Sequence, residues 1–180
     1  MQPCNISLKY LTAYPDSLQT QVHALIAENR LGELLRKKYS TAHSIRNDKA
    51  LFDYVMALKN EFLRSADPLS KVAFDSKLKV IQHALGTHTT VSRVQGHKLK
   101  SKREIRVATL FKDVPLELLK MITVHELAHI KEREHDKAFY KLCTYMEPNY
   151  HQYELDLRLY MTYQDLPKAE GGTAPLWAAV

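Results

Sequence analysis

Apolar residues recur three or four positions apart in the first third of the chain, which is the spacing of an amphipathic helix. Between residues 16 and 39 this pattern predicts a helix capped by Asp16, with Gly32 as a weak point. A second helix is predicted to begin at Asn47 or Asp48, either of which can cap it, and its apolar row is Leu51, Val55, Leu58 and Phe62. The sequence therefore predicts a helical N-terminal part over about residues 16–65.

The middle of the chain changes from a helical to a strand-like pattern. Between residues 71 and 110 lie four short segments rich in β-branched residues, VAF, KLKVI, THTTVSRV and REIRVATL. They are separated by the turn-forming stretches DS, ALG and QGHKLKSK. Segments of this kind predict three or four strands joined by hairpins. We therefore expect a small antiparallel or mixed sheet.

Helical periodicity returns after the predicted sheet. Asp113 and Pro115 open the stretch LELLKMITVHELAHIKERE, since proline is tolerated in the first turn of a helix. Asp136 is placed to cap a further helix, KAFYKLCTYM, which Pro148 ends. A last helix is predicted in YHQYELDLRLYMTY. Helices on both sides of a small sheet predict an α+β fold.

Length and composition favour one globular domain. With 180 residues, of which 45% are hydrophobic and 26% charged, the chain should fold as a single domain over residues 1–166. Residues 167–180 are rich in Gly, Pro and Ala, so we expect a flexible tail there. There is no long apolar run and no signal-peptide pattern, and the two cysteines, Cys4 and Cys143, form no CxxC pair. We therefore expect a cytoplasmic protein without membrane contact.

Residues 124–135, VHELAHIKEREH, carry the clearest candidate chemistry. On a helix, His125 and His129 lie one turn apart on the same face and can bind one metal ion. Glu126 is rotated by about 100° from His125 and lies beside the ion, where a general base is needed. Zinc held by three protein ligands keeps its fourth position for a water molecule and lowers the pKa of that water to about 7. The motif predicts a zinc hydrolase; the simpler alternative is a surface histidine pair.

The third ligand has to come from outside this helical turn. His135 is the leading candidate, because HExxHxxxxxH is also the ligand spacing of metzincins, in which a glycine lets the chain turn back. Glu132 occupies the glycine position here, so we expect the helix to unwind over the next two residues. In a continuing helix His135 would lie about 240° from His129 and could not share the ion. The alternative ligands would then be Glu154 and His151 on the last helix.

Two further sets of residues are candidates for contacts with a substrate. The formal net charge is +6, and the segment HKLKSKREIR at residues 97–106 is strongly basic. Its lysines either protect an exposed edge strand from aggregation or bind phosphate, including weak contact with nucleic acid. The candidate phosphate-binding residues are Arg93, Lys98, Lys100, Lys102 and Arg103. The tyrosines after the motif that could donate a hydrogen bond to an oxyanion are Tyr140, Tyr145, Tyr150 and Tyr153.

Three stretches of the chain carry a resemblance to a known family. They are MITVHELAHIKEREHDKAFYKLCTYMEPNYHQYELDLRLY, LGTHTTVSRVQGHKLKSKREIRVAT and DKALFDYVMALKNEFLRS. Over about residues 8–163 the chain closely resembles the YgjP-like metallopeptidase-domain proteins of bacteria. The resemblance implies a zincin-like fold, with zinc on His125, His129 and His135 and with Glu126 as the base. In the Arg-Trp-Gly-Ser-Cys stretch that the wider family often has, only Arg93 of SRVQG matches.

What is known of such proteins divides over the substrate. The fold and motif are those of peptidases, and relatives with the same core include SprT-like proteases that act on DNA-bound proteins. Bacterial proteins of the close YgjP type, however, are described as UTP pyrophosphatases. We interpret the chain as a zinc-dependent hydrolase of peptide bonds, with UTP pyrophosphatase as the alternative and a DNA-associated protease or binding module as the third hypothesis. The expected partner is a peptide or a nucleotide substrate.

Overall fold

The computed structural model of the protein describes residues 7–78, 86–95, 98–167 and 175–179, with the backbone alone for 86–95, 98–102 and 179. Helices and a small sheet form one mixed structure, which confirms the predicted α+β class. A single cluster of buried hydrophobic side chains extends from Leu8 to Trp177. None of the helices in the described part of the chain is long and apolar enough to cross a membrane.

The N-terminal helical region contains two helices where one was predicted. α1 (Asp16–Ala27) follows Pro15, and α2 (Leu31–Lys38) begins after a break at Asn29, whose φ of 55° ends the first helix. Asp16 is therefore the first helical residue and not the cap. Gly32 lies inside α2, where a β-carbon would come within 2.6 Å of the Tyr163 ring. This glycine permits close packing against the last helix rather than marking a weak point.

The next helix follows its predicted cap. The strand β1 (Thr41–Ala42) precedes α3 (Asp48–Phe62), and Asn47 caps α3 by accepting a hydrogen bond from the Ala50 backbone N–H at 2.9 Å. Of the two predicted capping residues, Asn47 is the one that the structure uses.

The central sheet contains three strands in the order β2, β4, β3 among the described residues. They are β2 (Leu69–Asp75), β3 (Gly86–Gln95) and β4 (Lys98–Ala108). β2 is parallel to β4, whereas β3 and β4 form an antiparallel hairpin, so the sheet is mixed. The predicted strand KLKVI is not observed at residues 77–78, and its remainder lies outside the described residues.

Helix α4 lies at the centre of the molecule. A 3-10 turn (Thr109–Asp113) and Pro115 precede α4 (Leu116–Ala128), which contacts β3, β4, α5 (Lys137–Met146) and α6 (Tyr150–Asp165). Every residue of α4 from Met121 to Ala128 is buried. A helix that is buried on all sides can hold functional groups rigidly, because its packing restricts side-chain rotation.

Residues 175–179 do not have the loose structure that was predicted for the tail at 167–180, whereas residues 168–174 and 180 lie outside the described part of the chain. Ala178–Ala179 form β5, which pairs in parallel with β1. Trp177 is only 2% exposed, and its ring centroid lies 4.7 Å from that of Tyr160. A tryptophan removes a large apolar surface from water when it packs, and this gain outweighs the turn-forming composition of its neighbours.

Candidate metal centre

The candidate centre lies at the C-terminal end of α4. His125 is in the last turn of the helix, and His129 is the residue that directly follows it. The helical geometry continues as far as His129, whose backbone N–H donates to the carbonyl of His125 at 3.4 Å. The two imidazoles therefore lie on one face, with ring centroids 4.9 Å apart.

A tight turn brings the third histidine back to this face. The helix ends at Ala128, whose carbonyl accepts hydrogen bonds from the backbone N–H groups of Lys131 (3.0 Å) and Glu132 (2.9 Å). The helix thus ends earlier than the predicted unwinding after Glu132. Among the described non-glycine residues only Asn29 has a positive φ, so the turn at Glu132 does not require glycine.

The ring nitrogens of the three histidines converge on one point. His135 Nε2 lies 3.1 Å from His125 Nε2 and 3.1 Å from His129 Nε2. The ligand atoms of the trio all lie within 4.8 Å of one another. Imidazole nitrogens that bind one tetrahedral ion at about 2.0–2.1 Å are separated by about 3.3 Å. The spacing observed here fits a divalent transition-metal ion.

The hydrogen bond of His129 fixes the tautomer that a metal ligand needs. Its Nδ1 lies 3.0 Å from the carbonyl oxygen of Glu132, which can only accept a hydrogen bond. Nδ1 therefore carries the proton, and the lone pair is on Nε2, which faces the other histidines. His125 also has a hydrogen-bond partner at Nδ1, which lies 2.6 Å from the hydroxyl of Tyr150.

Burial favours the neutral form of His125 and His129. Desolvation, together with the neighbouring His129 and His135, lowers the pKa of His125 to about 3. Burial also lowers the pKa of His129. Neutral imidazole is the form that binds metal. His125 is buried, whereas His135 is exposed, so the centre is open to solvent on one side.

An aromatic side chain supports all three ligands. The Phe139 ring lies 4.9 Å from His125, 4.6 Å from His129 and 4.7 Å from His135, measured between centroids. Phe139 is in the first turn of α5, which Asp136 caps by accepting hydrogen bonds from Ala138 and Phe139, as predicted. The cap therefore places Phe139 immediately after the loop that carries His135.

Glu126 is a buried carboxylate next to this centre. Its side chain is 0% exposed, and neither carboxylate oxygen has a hydrogen-bond partner among the described residues. Burial raises the pKa of Glu126 to about 8. A nearby divalent cation would lower this pKa and favour the ionised carboxylate, which is the form that a general base acting on water needs.

Arg103 holds the turn between the second and third histidines. Its guanidinium donates to the carbonyl oxygen of Ile130 at 2.6 Å and forms an ion pair with Asp67 at 2.7 Å. It therefore connects β4 to the loop that carries His135. Of the other predicted phosphate-binding residues the structure describes only the backbone, in which Arg93 is paired with Lys100 across the hairpin. The side chains of Arg93, Lys98, Lys100 and Lys102 lie outside the described part of the chain.

The alternative ligands of the last helix are engaged elsewhere. Glu154 forms an ion pair with Arg158 at 2.8 Å. The ring of His151 lies 5.4 Å from that of Tyr140. Sequence reasoning did not identify the roles of Phe139 and Tyr150, because nothing in the run of aromatic residues after the motif distinguishes those that reach the histidines.

Comparison with known proteins agrees with this geometry. The model of the family "YgjP-like, metallopeptidase domain" matches residues 63–160, which include all three histidines and Glu126. The chain belongs to this family. It is 56% identical over 160 residues to the UTP pyrophosphatase of Escherichia coli (strain K12), and the alignment covers 89% of this chain and 96% of the relative. No solved structure matched the chain significantly. Family and relative together identify a hydrolase of the metallopeptidase-like type.

Proposed function

We propose that this protein is a zinc-dependent UTP pyrophosphatase, which hydrolyses UTP to UMP and pyrophosphate. The observation that carries the proposal is the three-histidine centre with a buried Glu126, in a chain that is 56% identical to a protein of that name. Peptide-bond hydrolysis, which was favoured by the sequence motif, is the second candidate. We place UTP hydrolysis first because the alignment with this relative covers 89% of the chain.

Zinc is the metal that best suits the donor set. Three imidazole nitrogens with a fourth side open to solvent are typical of catalytic zinc sites. A bound zinc ion would polarise a substrate oxygen and lower the pKa of a water molecule, so that hydroxide is available near neutral pH. The histidines would be His125, His129 and His135, and the packing of α4 against β3 and β4 is that expected for a zincin-like fold.

The proposed role of Glu126 is proton transfer. Glu126 takes a proton from the attacking water while the water oxygen forms a bond to the α-phosphorus of UTP. The bond between the α-phosphorus and the oxygen that bridges to the β-phosphorus breaks. Glu126 then passes its proton to the leaving pyrophosphate. The buried position of the carboxylate supports this role, because its surroundings favour proton uptake.

The basic hairpin is the proposed site for the triphosphate. Strand β3 contacts α4, and β3 and β4 carry Arg93, Lys98, Lys100 and Lys102 next to Arg103. Positive side chains near the leaving group would offset the charge that develops on pyrophosphate. The same charges would support weak, salt-dependent contact with nucleic acid, which the third hypothesis of a DNA-associated protease or binding module requires.

The second candidate, peptide hydrolysis, is favoured by the position of β3. Within the described sheet β3 is an edge strand, and it contacts the helix that carries the histidines. An extended peptide could pair with such an edge and run past the centre. The chemistry at Glu126 would be the same, with a peptide carbonyl in place of the α-phosphorus.

The test compares zinc-loaded protein with its Glu126→Gln variant, incubated with UTP or with an unfolded protein. We expect UMP and pyrophosphate from UTP, with the rate reduced by about 10²–10⁴ in the variant. Glu117→Gln, in the first turn of the same helix, is the matched control and should retain full activity. Peptide fragments in place of pyrophosphate would favour the second candidate, and neither product from zinc-loaded protein would refute both.

A further inference from the structure

One buried side chain behind His125 has no role in the chemistry described so far. Tyr150 is 1% exposed, and its hydroxyl lies 2.6 Å from His125 Nδ1. Tyr150 therefore contacts the metal-facing imidazole from its buried side.

The direction of the first hydrogen bond decides whether His125 can bind metal. A neutral imidazole carries one proton, so its two nitrogens have opposite roles. If the Tyr150 hydroxyl donated to Nδ1, the proton would be on Nε2, and this nitrogen would have no lone pair for an ion. His129 avoids this ambiguity, because its partner is a carbonyl oxygen. Tyr150 by itself does not, since a hydroxyl both donates and accepts.

The position of His125 Nε2 decides between the two directions. It lies 3.1 Å from His135 Nε2, on the side where an ion would bind, so its lone pair is needed there and Nδ1 carries the proton. We propose that Tyr150 is a positioning residue of the metal centre, whose hydroxyl oxygen accepts from His125 Nδ1–H and so holds His125 in the metal-binding tautomer. The inference rests on the metal centre of the proposed function and not on the identity of the substrate.

Metal affinity is the first measurement. Cobalt(II) binding to metal-free protein is followed by the visible spectrum in competition with a chelator, for wild type and Tyr150→Phe. Loss of a hydrogen-bond partner behind a histidine ligand lowers metal affinity by about 10–100-fold, and we expect this for Tyr150→Phe. Tyr160→Phe is the matched control, because this buried tyrosine hydroxyl bonds to Gln164 and should leave cobalt affinity unchanged.

The tautomer of His125 tests the direction of the hydrogen bond. In metal-free wild type, long-range ¹H–¹⁵N correlation spectra should show the Nδ1–H form of His125. In Tyr150→Phe, which lacks the accepting oxygen, the population should shift towards the Nε2–H form. Packing alone would not produce this change.

The possible results separate the inference from the proposed function. Cobalt affinity of Tyr150→Phe within twofold of wild type would overturn the role of Tyr150. The Nε2–H form of His125 in metal-free wild type would overturn it as well. Should Tyr150→Phe fail to fold, the tautomer of His125 in wild type decides the question alone. Absence of cobalt binding in wild type would instead refute the metal centre, and with it the proposed function.

Discussion

Arg103 offers a test that separates two roles for one side chain. Its position in the basic segment predicts contact with substrate phosphate, whereas the structure places its guanidinium on the Ile130 carbonyl at 2.6 Å and on Asp67 at 2.7 Å. Arg103→Lys keeps the positive charge, but one ammonium group cannot reproduce the two-sided contact of a guanidinium. The substitution therefore removes the anchor of the His135 loop while keeping most of the attraction for phosphate.

The expected size of the effect follows from these contacts. A hydrogen bond from a charged donor stabilises by about 1.5–3 kcal/mol, and the ion pair with the largely exposed Asp67 adds at most about 1 kcal/mol. About 1.4 kcal/mol corresponds to a tenfold change in an equilibrium constant. Loss of the anchor should therefore reduce the fraction of metal-free protein in which His135 is in place. Apparent metal affinity should fall in proportion, by at least about tenfold and at most about a thousandfold.

Cobalt competition and steady-state kinetics with UTP measure the two roles separately. We expect weaker cobalt binding in Arg103→Lys and an unchanged KM at saturating metal. Arg106→Lys, three residues along the same strand and 44% exposed, is the control and should change neither quantity. Cobalt affinity within twofold of wild type together with a raised KM would refute the anchoring role and support direct contact with the substrate.

Three further predictions concern stability, measured as the free energy of unfolding in urea. Trp177→Ala should cost about 3–5 kcal/mol, because the ring is 2% exposed, whereas a loss below about 0.5 kcal/mol would mean a loose tail. Gly32→Ala should lower the free energy of unfolding by up to about 2 kcal/mol, because the added β-carbon would lie 2.6 Å from the Tyr163 ring. This clash outweighs the higher helix propensity of alanine, which favours the helix by about 1 kcal/mol. In a Tyr163→Ala background the same change should stabilise; continued destabilisation would exclude this contact as the cause. Burial lowers the pKa of His43 from 6.5, so the unfolded chain binds a proton that the folded protein does not. Stability should therefore fall as the pH drops below about 6.5, and His43→Gln should reduce that fall; an unchanged pH dependence would contradict the assignment.

Much of the helical structure could be predicted locally. The cap Asn47 and the cap Asp136 begin α3 and α5 as their sequences indicate, because an N-cap depends only on the next three residues. The break at Asn29 could not be predicted, since nothing in the amphipathic pattern marks the residue at which the backbone takes its φ of 55°. Gly32 was misinterpreted because its neighbour, Tyr163, lies on the last helix, far away along the chain.

The tail shows the limit of composition as a guide. Residues 167–180 contain glycines, two prolines and alanines that favour a flexible segment, yet Leu176 and Trp177 are buried and Ala178–Ala179 pair with β1. Whether such a segment is ordered depends on an available apolar surface, which Tyr39 and Tyr160 supply from distant parts of the chain.

The sequence by itself determined the pair of histidines and the position of the general base. His125, Glu126 and His129 share one helix, so the helical repeat alone sets their relative directions. Tertiary structure decided the rest of the centre. Whether His135 reaches the other two histidines depends on a turn held by Arg103 and packed on Phe139, and the tautomers depend on the Glu132 carbonyl and on Tyr150. These contacts join residues that the helical repeat does not relate, because only the packing of α4, α5 and β4 brings them together.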